Sequence, residues 1–232
     1  MGADLQDTYE RLLREPGVVM LLGDIDTGKT SFGVELLRRA KEAGIRAALV
    51  DSDIQNSTVG PPTTVGLRYT ESLAGFGREE LRAADGLYFV GSITPKAHLL
   101  PLVVGSARLA ARAAAEGCDL VVVDTTALVS GIYGQTLKYF KLDLVRPRYV
   151  VAFERGGELE PLIGIANRFT SAEVIELEVD PGVLPRSVDE RTTFREEQFA
   201  AYFASGVSRW RVRPTVFMPT LPPEFDLALL DG

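Results

Sequence analysis

The octet Gly23-Asp-Ile-Asp-Thr-Gly-Lys-Thr30 carries the most specific chemistry in the chain. It fits G-x-x-x-x-G-K-[ST], the spacing that wraps a loop around a nucleotide's phosphates. Gly23 and Gly28 allow backbone turns that a Cβ would block, so successive N–H groups can converge on an anion. Lys29 has the reach and charge for the β- and γ-phosphates, and Thr30 offers a hydroxyl to Mg2+. The expected nucleotide-binding set is Gly23, Asp24, Ile25, Asp26, Thr27, Gly28, Lys29, Thr30 and Ser31. Such a match arises by chance in roughly one chain per hundred of this size. The plainer reading is an ordinary glycine turn between a strand and a helix.

Three aspartates follow apolar runs. Asp51 and Asp53 lie just past Ile45–Val50, where a carboxylate can orient Mg2+ through water or take a proton from an attacking hydroxyl. A capped, solvated loop is the alternative. Asp124 closes Leu120-Val-Val-Val, the pattern that holds Mg2+ in many phosphate-loop proteins and that also simply caps helices. The candidate metal set is Thr30, Asp51, Asp53 and Asp124.

The segment 185–203 bears three arginines, Arg186, Arg191 and Arg195. Ser187 and Glu190 make a capping box, so a helix is expected from Val188. Arg191 and Arg195 are four apart and share a face, and neither has an acidic residue three or four positions away. A bound polyphosphate would supply the missing counter-charge through bidentate contacts. The other reading is a solvated charged helix. His98 is the single histidine and cannot build a metal site alone, and Lys138 and Lys141 are either surface charges or substrate-phosphate attractors.

These groups need rigid elements to position them. Residues 4–15 read as an amphipathic helix stopped by Pro16-Gly17. A strand, the phosphate loop, a helix to about Gly44 and a second buried strand then form a βαβ unit, so the sheet should be parallel. Gly60-Pro-Pro-Thr-Thr-Val-Gly66 is too rich in Gly and Pro for a regular element. Strands are expected at 87–90, 119–124, 148–153 and 174–179. Helices are expected at 95–116, 131–142 and 158–166, and an edge strand at 209–217. Five or six parallel strands alternating with helices give a doubly wound α/β domain, with ligands at the carboxyl ends of the strands.

At 232 residues, 46% hydrophobic and 25% charged, the chain has the makings of a globular α/β domain. Its net charge of −7 argues against broad coating of nucleic acid, which needs basic faces, but allows a local basic site. The single cysteine, Cys118, excludes an internal disulfide and a Cys-rich metal site. No segment has the apolar length of a membrane span and the N-terminus has no signal-peptide pattern, so a cytoplasmic protein without membrane contact is expected.

Four blocks together are similar in order and spacing to the polynucleotide 5′-hydroxyl kinases. They are Gly23–Thr30, then DSDIQNSTVGPPTTVGL at 51–67, DTTALVSGIYGQTLK at 124–138 and RSVDERTTFR at 186–195. That family, with archaeal and bacterial relatives, acts in tRNA splicing, mRNA 3′-end formation and pre-rRNA processing. The resemblance spans roughly residues 17–205. It implies the P-loop NTPase fold: a mainly parallel central sheet flanked by helices, with a helical, arginine-bearing lid. It implies transfer of the γ-phosphate of ATP, with Mg2+, to the 5′-hydroxyl of RNA or DNA. Lys29 would hold the phosphates and Thr30 the Mg2+, Asp53 would be the general base, and Arg186, Arg191 and Arg195 would form the lid. Asn56, Pro62, Thr63, Thr125 and Thr126 would meet the acceptor. The chain would be a single kinase domain over 1–232, with an N-terminal helix in 1–16, a lid at about 180–205 and a C-terminal strand and tail in 206–232.

The sequence departs from the family at three points. The Gly-Gln pair of D-x-D-x-G-Q is Gln55-Asn56 here, and the clasp's Gly-Trp is Ala127-Leu128, without its aromatic platform for a base. Tyr69 and Tyr133 are candidates to replace that platform. The extra terminal domains of large family members have no counterpart in these residues. The departures leave two other readings: an ATP-binding RNA-processing module with little kinase activity, and a phosphate-loop kinase of a small molecule.

Overall fold

Valine- and leucine-rich runs form the centre of the molecule. In the computed structural model, which describes residues 3–204 and 206–207, β1 (Val18–Gly23), β2 (Ala47–Ser52), β5 (Leu120–Thr125) and β6 (Tyr149–Glu154) are almost wholly buried. Strands buried on both faces read as continuous apolar runs, because each face needs its own cover. Alternate residues serve opposite faces. Met20 and Leu22 join one core with Val121, Val123, Val150 and Ala152. Val19 and Leu21 join a second core with Leu49, Val122 and Val151.

Among the described residues one sheet has seven strands, completed by β3 (Thr64–Tyr69), β4 (Gly86–Phe89) and β7 (Glu173–Glu178), in the order β4-β3-β2-β5-β1-β6-β7. β2, β5, β1, β6 and β7 run parallel, and β3 pairs antiparallel with both β2 and β4. The sheet is mainly parallel, as expected. One feature differs from the sequence reading: β3 begins at Thr64, directly after the Gly-Pro-Pro run that spoke against regular structure. Those prolines precede the strand, where a missing N–H costs no ladder bond.

On the second core lie α1 (Leu5–Arg14) and α2 (Lys29–Glu42), the latter through Phe32, Leu36, Leu37 and Ala40. The first core is covered by α4 (Leu99–Ala115), α5 (Gly131–Val145) and α6 (Glu160–Phe169). The helix expected from Pro95 starts only at Leu99. Ala97 has φ +64°, a left-handed conformation that no α-helix continues through. The remaining helices are the short α3 (Arg78–Arg82) and α7 (Val188–Phe203). The Ser187–Glu190 box caps α7 as expected: Glu190 N–H donates to Ser187 Oγ at 3.1 Å, and Ser187 N–H to Glu190 Oε2 at 2.6 Å.

Residues 1–202 form one compact unit. The strand expected at 209–217 and the tail lie outside the described residues. No described helix is long and apolar enough to cross a membrane.

The loop 53–63 folds tightly over β3. A Cβ at Gly66 would lie 2.3 Å from the Val59 carbonyl oxygen, and that oxygen is backbone and cannot swing away. Gly66→Ala is therefore expected to destabilise the protein by about 1–3 kcal/mol, read as a lower urea midpoint. An unchanged midpoint would show that the loop is not held against the strand.

Candidate active site

Gly28 turns the phosphate loop into α2. It is the helix N-cap with φ +84°, open to glycine and strained for a side chain. The loop lies at the N-terminus of α2, the positive end of its dipole. Lys29 is buried across its own loop, with Nζ donating to the Asp24 carbonyl at 2.5 Å and to Thr27 Oγ1 at 3.1 Å. Burial lowers its pKa, and nearby Asp124, Asp53, Asp24 and Asp26 oppose that shift.

Thr30 and Asp124 meet although they are far apart in sequence. Thr30 Oγ1 donates to Asp124 Oδ2 at 2.5 Å. Asp124 Oδ1 is buried without a partner among the described residues. An orphaned carboxylate oxygen beside a phosphate-loop hydroxyl fits a hard cation that takes oxygen ligands and keeps several waters. No cluster of three or more His, Cys, Asp or Glu suited to a metal occurs among the described residues. Any cation here would therefore depend on phosphate oxygens as well.

The two β2 aspartates separate. Asp51 is buried, and its carboxylate accepts from the N–H groups of Asp53 (2.9 Å), Thr58 (2.5 Å) and Val59 (3.0 Å) and from Ser57 Oγ (3.4 Å). With both oxygens so occupied, Asp51 shapes the 53–63 loop and does not point a ligand at Thr30. Burial, with Asp124 and Asp53 nearby, raises its carboxyl to about 8. Asp53 is half-buried and lines a cavity of about 390 Å3 together with Lys29 and Thr30. Its Oδ1 accepts from the N–H groups of Gln55 (3.1 Å) and Asn56 (3.3 Å), and Oδ2 has no partner among the described residues. Asn56 lines the same cavity, with a buried Oδ1 that is also unpartnered.

α7 and the segment before it border this cavity. Arg186 and Arg191 line it. The Arg191 guanidinium forms an ion pair with Asp26 of the phosphate loop, and the Arg186 N–H donates to the same carboxylate at 3.1 Å. Arg191 thus has a distant acidic partner where the sequence shows no local one. Arg195 turns aside and donates to Thr192 Oγ1 of its own helix at 2.8 Å. Gln198 anchors α7. Its Nε2 donates to the Ser57 carbonyl at 2.6 Å, and its Oε1 accepts from Arg82 Nε.

Four residues expected at the acceptor are not brought to the cavity wall. Pro62 is buried, and Thr63 turns at φ +74° to hold the N–H groups of Val90 and Gly91 through its carbonyl. Thr125 Oγ1 donates inward to the Leu21 carbonyl, and Thr126 is buried beside it. Ala127 lines the cavity without an aromatic ring. Tyr69 donates to Glu116, and Tyr133 lies under the Lys96 ammonium, so neither supplies one. Phe76 and Phe194 do, and the Arg78 guanidinium stands 4.4 Å over the Phe194 ring.

With this geometry in view, the family profile described as mRNA cleavage and polyadenylation factor CLP1 P-loop matches residues 23–205, from the phosphate loop through α7. The chain belongs to the CLP1 P-loop family. A polyribonucleotide 5′-hydroxyl-kinase of Pyrococcus abyssi is 36% identical over 191 residues, covering 82% of this chain and 52% of the relative. One of Methanocaldococcus jannaschii is 30% identical over 204 residues, 85% of this chain and 55% of the relative. The chain thus spans about half the length of the curated relatives it matches. The structure of a wild-type Clp1p–Pcf11p complex shares the fold, with a TM-score of 0.71 at 12% identity over 86% of this chain and 53% of that one.

In this CLP1 P-loop chain two residues whose role the sequence left open pack against the ends of β2 and β5. Lys138 and Lys141 are fully buried. Lys138 Nζ donates to Thr125 Oγ1 (2.7 Å) and the Thr126 carbonyl (2.6 Å), at the end of β5. Lys141 Nζ donates to Ser52 Oγ at 2.6 Å, and Ser52 Oγ donates to the Asp124 carbonyl at 2.7 Å, bridging β2 and β5. The signal was present: Gly134, Leu137, Lys138, Lys141, Leu142 and Val145 make one helical stripe, all of it buried. Arg155 was also missed. It donates to the Ile25 (3.3 Å) and Asp26 (2.5 Å) carbonyls and steadies the phosphate loop from the end of β6.

Burial lowers the Lys141 ammonium to about 7, against attraction from Asp53, Asp124 and Asp51. In the unfolded chain it holds its proton to the ordinary value of 10.5. The unfolded state therefore binds more protons between those values, and this group makes stability rise with pH across that window. Lys141→Met should remove that increment, on the order of a few kcal/mol. Urea midpoints at pH 7 and pH 9.5 test it, and an equal pH response in both proteins would refute it.

Proposed function

We propose that this chain is an ATP-dependent polynucleotide 5′-hydroxyl kinase, with RNA or DNA ends as acceptor. The observation that carries the reading is one cavity lined by the phosphate loop, the Asp53 carboxylate and the lid arginines Arg186 and Arg191. Donor-phosphate binding, a proton acceptor and mobile positive charge are the parts that phosphoryl transfer requires. The similarity to relatives named polyribonucleotide 5′-hydroxyl-kinase supports the choice of acceptor. Residues 1–202 would act as one kinase unit, with the segment around α7 as its lid. A cytoplasmic setting belongs to this reading, since ATP and polynucleotide ends meet there.

The phosphate-loop N–H groups and Lys29 hold the β- and γ-phosphates. The acceptor hydroxyl lies against Asp53 and Asn56. As its oxygen bonds to the γ-phosphorus, the bond to the β–γ bridging oxygen breaks, ADP leaves, and the hydroxyl proton passes to Asp53 Oδ2. Asp53 is suited to this because Oδ1 is already fixed by two backbone N–H groups, which aims the other oxygen. Arg186 and Arg191 meet the charge that spreads over the transferring group, with Arg191 leaving Asp26 for phosphate. Thr30 and Asp124 would hold Mg2+, which neutralises phosphate charge when bound.

Incubation with γ-labelled ATP and a 5′-hydroxyl oligonucleotide should label the 5′ end. No transfer to RNA or DNA would refute the reading. Asp53→Asn should cut turnover by a factor on the order of 10² or more with ATP affinity kept, and near-normal turnover would remove Asp53 from the base role. Arg191→Ala should also lower turnover by a factor on the order of 10², and far more than it weakens ATP.

A further inference from the structure

A second cavity, of about 600 Å3, adjoins the phosphate loop. It shares Thr27, Gly28, Ser31 and Val183 with the lid-side cavity. Lys29, Thr30, Asp53 and Arg191 line only the first. A triphosphate seated on the loop has its terminal phosphates beside Lys29 and Thr30. Ser31, at the other end of the loop residues that both cavities share, gives its nucleoside a way into the second cavity.

The lining of that cavity suits a base and not a phosphate. None of its lining residues is basic. Phe32, Phe153, Leu177 and Val183 supply apolar surface, and Glu178 and Asp180 supply carboxylates. Polynucleotide phosphates would be repelled here, whereas a flat heteroaromatic ring with exocyclic N–H groups is matched.

One wall comes from α1. Tyr9 stacks on Phe32 at 4.7 Å between centroids, and the Arg39 guanidinium covers its other face at 4.2 Å. What Tyr9 has left to offer the cavity is its edge and its hydroxyl, and burial holds that phenol protonated by raising it to about 12. α1 is fixed in place. Asp4 caps it, Arg11 pairs with Glu173 of β7 at 2.6 Å, and Arg39 of α2 donates to Gln6 at 2.7 Å. Glu35 is taken by Arg38 and Arg39, and one oxygen of Asp180 by the Gly182 N–H at 2.7 Å. Glu178 and the second Asp180 oxygen remain as acceptors among the described residues.

We propose that this second cavity is the donor-nucleobase site and takes an aminopurine, with α1 as its fixed wall, Tyr9 as hydrogen-bond donor, and Glu178 and Asp180 accepting from the amino group. The proposal rests on reading Gly23–Ser31 as a triphosphate loop. It assigns base recognition to the N-terminal helix of this chain.

Calorimetric titration of the purified chain, with Mg2+ present, compares tripolyphosphate, ATP and purine riboside triphosphate, which lacks the amino group. ATP should bind at least about tenfold tighter than tripolyphosphate. Leu5→Trp, at a half-exposed position on the cavity wall, should erase most of that advantage and leave tripolyphosphate binding unchanged. The double variant E178Q/D180N, at two exposed positions, should narrow the preference for ATP over purine riboside triphosphate. Equal affinities of ATP and tripolyphosphate, or a Leu5→Trp protein that keeps the full difference, overturn the base site and leave the phosphate-loop reading standing. Failure of both ligands to bind the unaltered chain overturns that reading and the base site with it.

Discussion

Lys29, Lys138 and Lys141 are all buried, and they share one polar layer with Asp51, Asp53 and Asp124 at the carboxyl ends of β1, β2 and β5. An ammonium withdrawn from water costs several kcal/mol unless polar partners and opposite charge replace the solvent. Here hydroxyls and carbonyls supply the hydrogen bonds, and attraction from the nearby aspartates opposes the burial that lowers Lys141 and Lys138. Neither Lys138 nor Lys141 forms a direct carboxylate pair among the described residues. Their attraction to the aspartates acts through the low dielectric of the interior. The strand ends must therefore stay in register, because slippage would strand a buried cation. Three separate strands thus deliver Thr30, Asp53 and Asp124 to one place.

The same layer explains how the two aspartates of β2 come to differ. Asp51 spends its carboxylate on the backbone of the 53–63 loop, and that loop carries Asp53 and Asn56 to the cavity. Ser57 of the loop in turn receives Gln198 of α7. α7 is thus anchored to the 53–63 loop through Gln198 and to the phosphate loop through Arg191 and Asp26.

α5 shows what the polar layer costs elsewhere. Its inner stripe holds two lysines, while Ile132, Phe140 and Leu144 face outward, each about half-exposed or more. Apolar residues thus lie on both faces of α5, and the stripe that carries Leu137, Leu142 and Val145 takes the two lysines inward with it. Thr125, Thr126 and Ser52 at the strand ends receive their Nζ groups.

Local chemistry was legible without coordinates. The spacing Gly23–Thr30, the buried β1, β2, β5 and β6, and the Ser187–Glu190 cap are short-range patterns whose physics is complete within a few residues. β3 was hidden because Gly60-Pro61-Pro62 dominates its neighbourhood, and its pairing with β2 is a long-range event. The resemblance of four blocks pointed to one family, and the match over residues 23–205 bears that out. Tertiary structure alone decided which members of the motifs share a cavity. It joined Thr30 to Asp124 and Arg191 to Asp26, turned Arg195, Thr125 and Pro62 away, and sank Lys138 and Lys141 beneath the site. A motif states which atoms are available. Where each side chain points depends on partners brought close by folding, and no spacing along the chain encodes that.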